Sequence, residues 1–362
     1  MFVAWRDLRF ARGRFALMGA VVVLVTLLVG LLSGLTSGLA RENVSAVTGL
    51  PATHLAFAVP AGGQEVSFTD SRVPESAWLA WRARPGVRSA DPVGIRTTNA
   101  AAGGRTAAVS VFGVEPESGI APPGVGPGRV VLSGKAAEEL GGLRAGDRLR
   151  TGALELTVHA VSGTASYSHT PVVWADLGDW QGIGDPGPPA GPVATVVALD
   201  AGDGAGAGLA AGDAAAGTRT RTVEQALGAI GSYQAENGSL QLMRGFLFAI
   251  SALVTGAFFT VWTIQRSGDV AVLKALGAST PYLLRDALGQ AVVVLLAGTG
   301  LGTALAAGLG ALIAGGDVPF VLDAATVLVP AGVMTVLGAA GAALSIRRIT
   351  AVDPLTALGS AR

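Results

Sequence analysis

The chain has 362 residues, of which 50% are hydrophobic and only 14% are charged, and its mean hydropathy is +0.54. This composition is unusual for a soluble protein and indicates an integral membrane protein. The formal net charge is zero, which argues against a nucleic-acid partner. The absence of cysteine excludes disulfides, thiol catalysis and cysteine-ligated metal sites.

The N-terminal region pairs a basic segment with a long apolar run. Residues 1–14 interleave four arginines with aromatic and aliphatic side chains, which predicts a cytoplasmic amphipathic helix at the membrane surface. Residues 15–40 carry no charge and exceed the roughly 20 apolar residues that span a bilayer. A cleaved signal peptide is the alternative, but its apolar region is usually about 7–15 residues long. We therefore predict a retained first transmembrane helix and a cytoplasmic N-terminus.

Residues 41–222 are predicted to form an extracytoplasmic α+β domain, large enough to bury its own core. Helices are predicted at residues 74–84 and 135–140. The Ala/Gly/Asp run at 201–217 fits either a flexible linker or an alanine-driven helix, and helical spacing over 223–243 predicts a stalk. Short β-branched runs bounded by turn residues predict strands at 54–59, 65–69, 106–114, 130–133, 154–161, 171–174 and 193–199.

Three further apolar runs predict transmembrane helices at 244–265, 287–316 and 324–346. Basic residues place the loop 266–286 and the tail 347–362 in the cytoplasm, while the acidic connection 317–323 lies outside. The predicted fold is an α-helical integral membrane protein with four transmembrane helices and a large mixed α+β extracytoplasmic domain between the first and second. It is predicted to lie in the cell (plasma) membrane with both termini cytoplasmic.

The cytoplasmic loop contains a short predicted helix. Asp269, or Ser267 before it, fits the N-cap, and Gly277 fits a left-handed C-cap. A helix of about two turns is not stable alone in water, so its apolar side predicts docking onto another surface. The apolar side consists of Val270, Leu273, Ala275 and Leu276.

The sequence lacks the motifs of common enzymes. It contains no HExxH, no GxSxG and no paired-carboxylate motif, and its three histidines have no metal-ligand spacing. Gly134-Lys135 resembles the end of a phosphate loop, but Arg129 stands at the first glycine position and Ala136 replaces Ser or Thr. We therefore predict no catalytic, metal or cofactor site in this chain.

Glycines recur every fourth residue in two predicted spans. Gly30, Gly34 and Gly38 form a stripe in the first, and Gly298 and Gly302 begin one in the third. Small residues at this spacing allow close helix packing in lipid. The first stripe fits either dimerisation or packing within one chain, and the sequence leaves both open.

The loop QRSGDVAVLKALGAS resembles the coupling-helix signature of MacB/FtsX-like ABC transporter permeases, the type VII ABC mechanotransmission family. The tail, with two arginines at 347–348 followed by AVDPLTAL, is similar to the ending of that family. The segments WRDLRFARGRFAL and VVLSGKAAEELGGLRAGDRLR resemble its entry helix and its small β-rich module. The residues that match the ATPase-coupling helix are Asp269, Val270, Leu273, Lys274, Ala275, Leu276 and Gly277, with Asp269 standing where Glu is commoner.

The resemblance implies a permease subunit that couples ATP hydrolysis by a separate ABC ATPase to movement of its extracytoplasmic domain, for export or extrusion. It implies no cofactor in this chain, since ATP and magnesium belong to the partner ATPase. It also implies a second permease copy, as a homodimer or with a paralogous permease, in the lipid bilayer. The alternatives are an FtsX-like signal transducer that regulates an extracytoplasmic hydrolase or a sensor kinase, and a membrane-anchored enzyme.

Overall fold

The computed structural model describes residues 12–183, 191–202, 206–265, 268, 272–274, 276–313 and 318–350. The chain divides into two compact units. Residues 1–38 and 239–362 form the helical unit, and residues 39–238 form the α+β unit. The predicted amphipathic helix at 1–14, apart from its last three residues, and the tail motif at 351–358 lie outside the described residues.

The described elements follow one another as long helices at both ends of the chain and short helices and strands between them. In chain order they are α1 (Arg12–Thr48), β1 (His54–Ala58), β2 (Val73–Pro74), α2 (Glu75–Arg82), β3 (Val87–Ala102), β4 (Arg105–Val114), β5 (Arg129–Leu132), α3 (Gly134–Glu139), β6 (Arg148–Thr151), β7 (Leu154–Val161), β8 (Ser166–Tyr167), β9 (Thr170–Asp176), α4 (Leu177–Gly182), β10 (Val193–Ala194), β11 (Val196–Ala201), α5 (Gly206–Ala216), β12 (Thr218–Thr222), α6 (Val223–Ala226), α7 (Gly231–Gln265), α8 (Thr280–Ile313) and α9 (Ala324–Thr350).

Four helices, α1, α7, α8 and α9, are long and apolar enough to cross a membrane. All four contribute to one buried cluster, so they pack as a bundle rather than as separate rods. The cluster contains Met18, Val22, Phe259, Ala291, Val294, Leu295 and Ala342. Each helix therefore buries one face against its neighbours and leaves the other uncovered, as lipid-facing helices do.

The long helices extend beyond the apolar runs that predicted them. α1 continues to Thr48 instead of ending near residue 40, and α8 begins at Thr280 rather than at 287. The loss of apolar character marks where a chain leaves lipid, whereas a helix ends only where its backbone hydrogen bonding stops. The predicted boundary between transmembrane helix and domain therefore lies inside α1.

The predicted stalk at 223–243 is not one helix. α6 ends at Ala226, a 3₁₀ turn follows, and Ile230 has an extended backbone. α7 then starts at Gly231 and runs without interruption to Gln265, across the predicted boundary between stalk and span. The apolar residues keep helical spacing across 223–243, so their pattern could not reveal the break at Ile230.

The sheet of the α+β unit closes partly on itself. Strands β3, β4, β9, β5, β7 and β6 are neighbours in that order, and β6 pairs again with β3. β3 is 16 residues long, and its first part pairs with β11 while Ala100 and Ala101 pair with β6. The length of β3 therefore lets one strand belong both to the ring and to the extension β11–β1–β12.

Two apolar clusters fill the α+β unit. One lies among the ring strands, the neighbouring strands β1 and β11 and three short helices, with Trp78, Trp81 and Trp180 as its largest side chains. The other joins the end of α1 to the sheet through Phe57, Phe112 and their neighbours. This unit therefore has a core of its own, as its length predicted.

Several predicted strands differ from the structure. β3, β6 and β12 were not predicted, because their sequences mix Arg, Thr, Ala and Pro rather than β-branched apolar residues. Residues 65–69 form no strand; Phe68 is buried there through an edge-on contact with Phe57, at 4.9 Å between ring centroids. The run 201–217 contains α5, so the helix alternative holds for Gly206–Ala216.

Candidate functional site

The short helix between α7 and α8 ends in the predicted glycine cap. Gly277 has a φ of +93°, the left-handed conformation that glycine adopts without strain. Its backbone N–H donates to the Lys274 carbonyl at 3.1 Å, and the Ala278 N–H donates to the Leu273 carbonyl at 2.9 Å. These two bonds form a Schellman motif, which satisfies carbonyls at the helix end.

This short helix exposes apolar side chains. Val272 is 54% exposed, Leu273 38% and Leu276 80%. Val272 was not among the residues predicted for the apolar side, although it lies one helical turn before Leu276. Asp269, Val270 and Ala275 lie outside the described residues. The described part of the helix therefore presents an uncovered apolar surface, which carries a free-energy cost in water until another surface covers it.

The glycine stripe of α1 faces other parts of the same chain. A side chain at Gly30 would meet Cβ of Ala306 in α8 at 2.8 Å. Gly34 is covered by the ring of Phe320, which also covers Gly310, and Gly38 is covered by the backbone of Pro319. The N–H of Val321 donates to the Gly34 carbonyl at 3.1 Å, which fixes this connection against α1.

The glycines of α8 face α1 in return. A side chain at Gly298 would meet Val22 at 2.8 Å, and one at Gly302 would meet the Val23 carbonyl at 2.6 Å. These contacts favour packing within the chain, one of the two roles that the sequence left open. A dimer role for the stripe stays a prediction, without a contact that supports it.

The α+β unit contains a cluster of polar residues that the sequence analysis missed. We call it the three-way cluster, because it joins the end of α1, the start of α7 and the turn between β8 and β9. Both turn residues, Ser168 and His169, have positive φ values, of 50° and 62°. This conformation costs a non-glycine residue about 1–2 kcal/mol. The cluster consists of Glu42, Asn43, Ser168, His169, Ser232 and Glu236.

Hydrogen bonds hold this turn between the two helices. The N–H groups of Ser168 and His169 donate to the carbonyls of Asn43 and Glu42, at 2.9 and 3.3 Å. The Ser168 and Ser232 hydroxyls lie 2.9 Å apart, and His169 Nε2 lies 2.9 Å from a Glu236 carboxylate oxygen. These contacts account for the persistence of a strained turn. The residues are far apart in sequence, so no local pattern could have revealed the cluster.

Two further carboxyl groups of the α+β unit, Asp91 and Asp179, stabilise the fold through local contacts. Burial raises the pKa of Asp91, although the nearby Arg82 acts in the opposite direction. Burial also raises the pKa of Asp179, which accepts a hydrogen bond from the Gly128 N–H at 2.6 Å. Among the described residues, no group of three or more His, Cys, Asp or Glu is placed to hold a metal ion. Asp91 thus pairs β3 with α2, and Asp179 holds the turn before β5.

The C-terminal region matches a known family. Residues 242–354 match the family model of the FtsX-like permease C-terminal region. This match covers all of α8 and α9, most of α7, and the short helix between α7 and α8.

Individual relatives agree with this match. A hemin transport system permease protein named HrtB from Staphylococcus haemolyticus is 38% identical over 130 residues, 36% of this chain and 37% of that protein. The HrtB of Staphylococcus epidermidis is 29% identical over 143 residues, and the alignment spans 41% of its length. An uncharacterized ABC transporter permease of Mycobacterium tuberculosis is 25% identical over 287 residues, 76% of each chain.

Among solved structures, this chain is similar to the extracellular domain of the ABC-type transporter YknZ from Gram-positive bacteria. The alignment covers 47% of this chain and 98% of that chain, at 14% identity and a TM-score of 0.35.

The four apolar helices and the permease relatives indicate a multi-pass membrane protein. The predicted resemblance to MacB/FtsX-like ABC transporter permeases is therefore confirmed, and residues 242–354 carry it.

Proposed function

We propose that the chain is the membrane-spanning permease subunit of an ABC transporter, which couples ATP hydrolysis by a separate ATPase subunit to movement of an extracytoplasmic α+β unit. The observation that carries this proposal is the capped short helix between α7 and α8, with Val272, Leu273 and Leu276 exposed. Apolar side chains outside a membrane span gain stability when a partner covers them. A groove on the ATPase is the surface proposed to do so.

The position of the short helix suits this role. It connects α7 and α8, so force applied to it reaches two long helices directly. α7 begins at Gly231 inside the α+β unit and continues without a break into the helical unit at Ser239. Movement imposed at one end of α7 therefore has a covalent route to the other unit.

ATP and magnesium are proposed to bind the partner ATPase. A second permease copy, identical or paralogous, is proposed to complete the transporter, with export or extrusion as its action. The name of the staphylococcal relatives includes hemin, so hemin is the first substrate to test.

The proposal is tested by co-expressing the chain with its ABC ATPase in membranes. We expect the two proteins to purify together and the ATPase to turn over ATP faster in the complex than alone. Purification of the ATPase without this chain, or equal turnover with and without it, would contradict the proposal.

Membrane topology gives a separate prediction. Reporters fused after Arg362 or within the loop at 270–279 are expected to be cytoplasmic, and reporters near Gly184 or Gly316 to be outside. The reason is that basic residues flank the proposed cytoplasmic segments, whereas the connection 317–323 is acidic. The measurement is paired activity of a cytoplasmic and an export-dependent reporter. A cytoplasmic signal at Gly184 would overturn this topology.

A further inference from the structure

Arg244 is a charged residue of the helical unit, and it lies where α7 enters the membrane span. Residues 245–265, which follow it directly, carry no charge. At about 1.5 Å per residue this run is about 31 Å long, close to the roughly 30 Å of a hydrocarbon layer. The Arg244 guanidinium therefore lies at the depth of the lipid headgroups, in the leaflet nearer to the Gly231 end of α7.

Arg244 lies on the side of α7 that packs against the bundle. Ser251 and Thr255 follow it after about two and three helical turns, so the three residues share one side of the helix. Both Ser251 and Thr255 are buried. On the opposite side, Leu242 is 65% exposed and Phe246 is 67% exposed. The arginine is thus on the inward-facing side of a membrane helix, where unpaired charges are costly.

Thr36 of α1 holds the guanidinium in place. Arg244 Nη2 donates to Thr36 Oγ1 at 2.8 Å, and the Thr36 hydroxyl donates to the Ser33 carbonyl at 3.1 Å. Because the hydroxyl hydrogen is used by Ser33, the Thr36 oxygen is left as an acceptor for Arg244. Thr36 is buried, so this bond fixes the charged end of a long side chain at the contact between α1 and α7.

Most of the hydrogen-bonding capacity of Arg244 is left for another group. A guanidinium has five N–H donors, and Thr36 accepts from one of them. Within the described part of the chain, Thr36 is the one hydrogen-bond partner of Arg244, and no carboxylate pairs with it. Arginine binds phosphate and carboxylate groups through two parallel N–H bonds. The remaining donors therefore suit an anion with two adjacent oxygens.

We propose that Arg244, positioned by Thr36, binds the phosphate group of a membrane phospholipid at the contact between α1 and α7. Leu247 and Phe248, one helical turn farther into the span, are half-buried and provide an apolar surface for the acyl chains. Inorganic phosphate and carboxylate amphiphiles offer similar oxygens, but a phospholipid combines phosphate with acyl chains at this depth. The inference goes beyond the proposed function, because lipid binding requires neither an ATPase nor a transported substrate.

Titration of the full-length chain with dioctanoyl phosphatidylglycerol, followed by native mass spectrometry, tests the site. Arg244→Gln is expected to raise the dissociation constant at least about tenfold, as expected for the loss of hydrogen bonds to a charged group. Thr36→Val removes the hydroxyl that positions the guanidinium and is expected to raise it about threefold. Parental affinity in Arg244→Gln would overturn the proposal.

Two further variants separate this site from general effects of charge and folding. Arg41→Gln is the matched control, because Arg41 is exposed just beyond the uncharged run of α1 and the chemical change is the same. We expect it to retain parental affinity, and equal weakening in both glutamine variants would overturn the site. Arg244→Lys keeps the charge but lacks the planar fork, so it should weaken lipid binding while the thermal unfolding midpoint stays unchanged.

Two competitors identify the ligand. Inorganic phosphate in large excess is expected not to displace the lipid, and dodecanoate, a carboxylate amphiphile, is expected to bind more weakly than phosphatidylglycerol. Displacement by inorganic phosphate, or equal binding of dodecanoate, would overturn a phospholipid as the ligand. These measurements use the chain without its ATPase, so their failure would leave the proposed coupling untouched.

Discussion

Leu273→Asp is expected to lower the ATP turnover stimulated by this chain at least tenfold. A leucine covered at a protein interface contributes about 1.5–3 kcal/mol, and a tenfold change corresponds to about 1.4 kcal/mol. The substitution also places a carboxylate where docking would remove its hydration without compensation. The measurement is ATPase activity of the reconstituted complex, together with co-purification of the two subunits.

Leu276→Asp is the companion variant, because Leu276 is 80% exposed and its replacement has little effect on the isolated chain. Leu79→Asp is the matched control: Leu79 is 50% exposed on α2 of the α+β unit, and the chemical change is the same. We expect the control to retain parental turnover. If both loop variants purify with the ATPase and turn over ATP at the parental rate, the short helix is not the coupling element.

Gly34→Leu is expected to destabilise the helical bundle. The ring of Phe320 occupies the space that the leucine side chain would need, and Phe320 is itself confined by Gly310. Overpacking of this kind typically costs about 1–3 kcal/mol. The thermal unfolding midpoint of the purified chain in detergent should fall accordingly.

Two further variants test whether the clash with Phe320 causes the lower unfolding midpoint. Gly308→Leu introduces the same side chain in α8, where nothing lies within 4 Å of the added Cβ, and should leave the midpoint unchanged. Phe320→Ala combined with Gly34→Leu should restore part of the lost stability, because the two positions are in contact. Weaker self-association without a change in midpoint, and without rescue by Phe320→Ala, would instead indicate the dimer role of the stripe.

The helical unit was largely predictable from the sequence. A helix in lipid must satisfy its backbone internally, so an apolar run of sufficient length identifies a helix without information from the rest of the chain. The cap at Gly277 was predictable for a related reason, since a left-handed C-cap depends on one local residue type. The ends of the helices were not predictable in this way, because α1 continues through a polar segment up to Thr48.

The α+β unit was less predictable because distant residues determine it. β3 has weak strand character and is held by pairing with β4, β11 and β6 along its length. The three-way cluster depends on residues 42, 169 and 236, which are distant in sequence and are brought together by the tertiary structure. The role of the glycine stripe likewise depended on Phe320, whose position over Gly34 follows from tertiary structure.

The continuity of α7 has a mechanical consequence. Its 35 residues correspond to a rod about 52 Å long, whereas the hydrocarbon layer is about 30 Å thick. About 20 Å of the rod therefore lies beyond the hydrocarbon, and no proline interrupts it. Such a rod acts as a lever: a tilt of about 10° about one end displaces the other by about 9 Å. A change of tilt imposed at Gln265 is thereby converted into a displacement of several ångströms at Gly231.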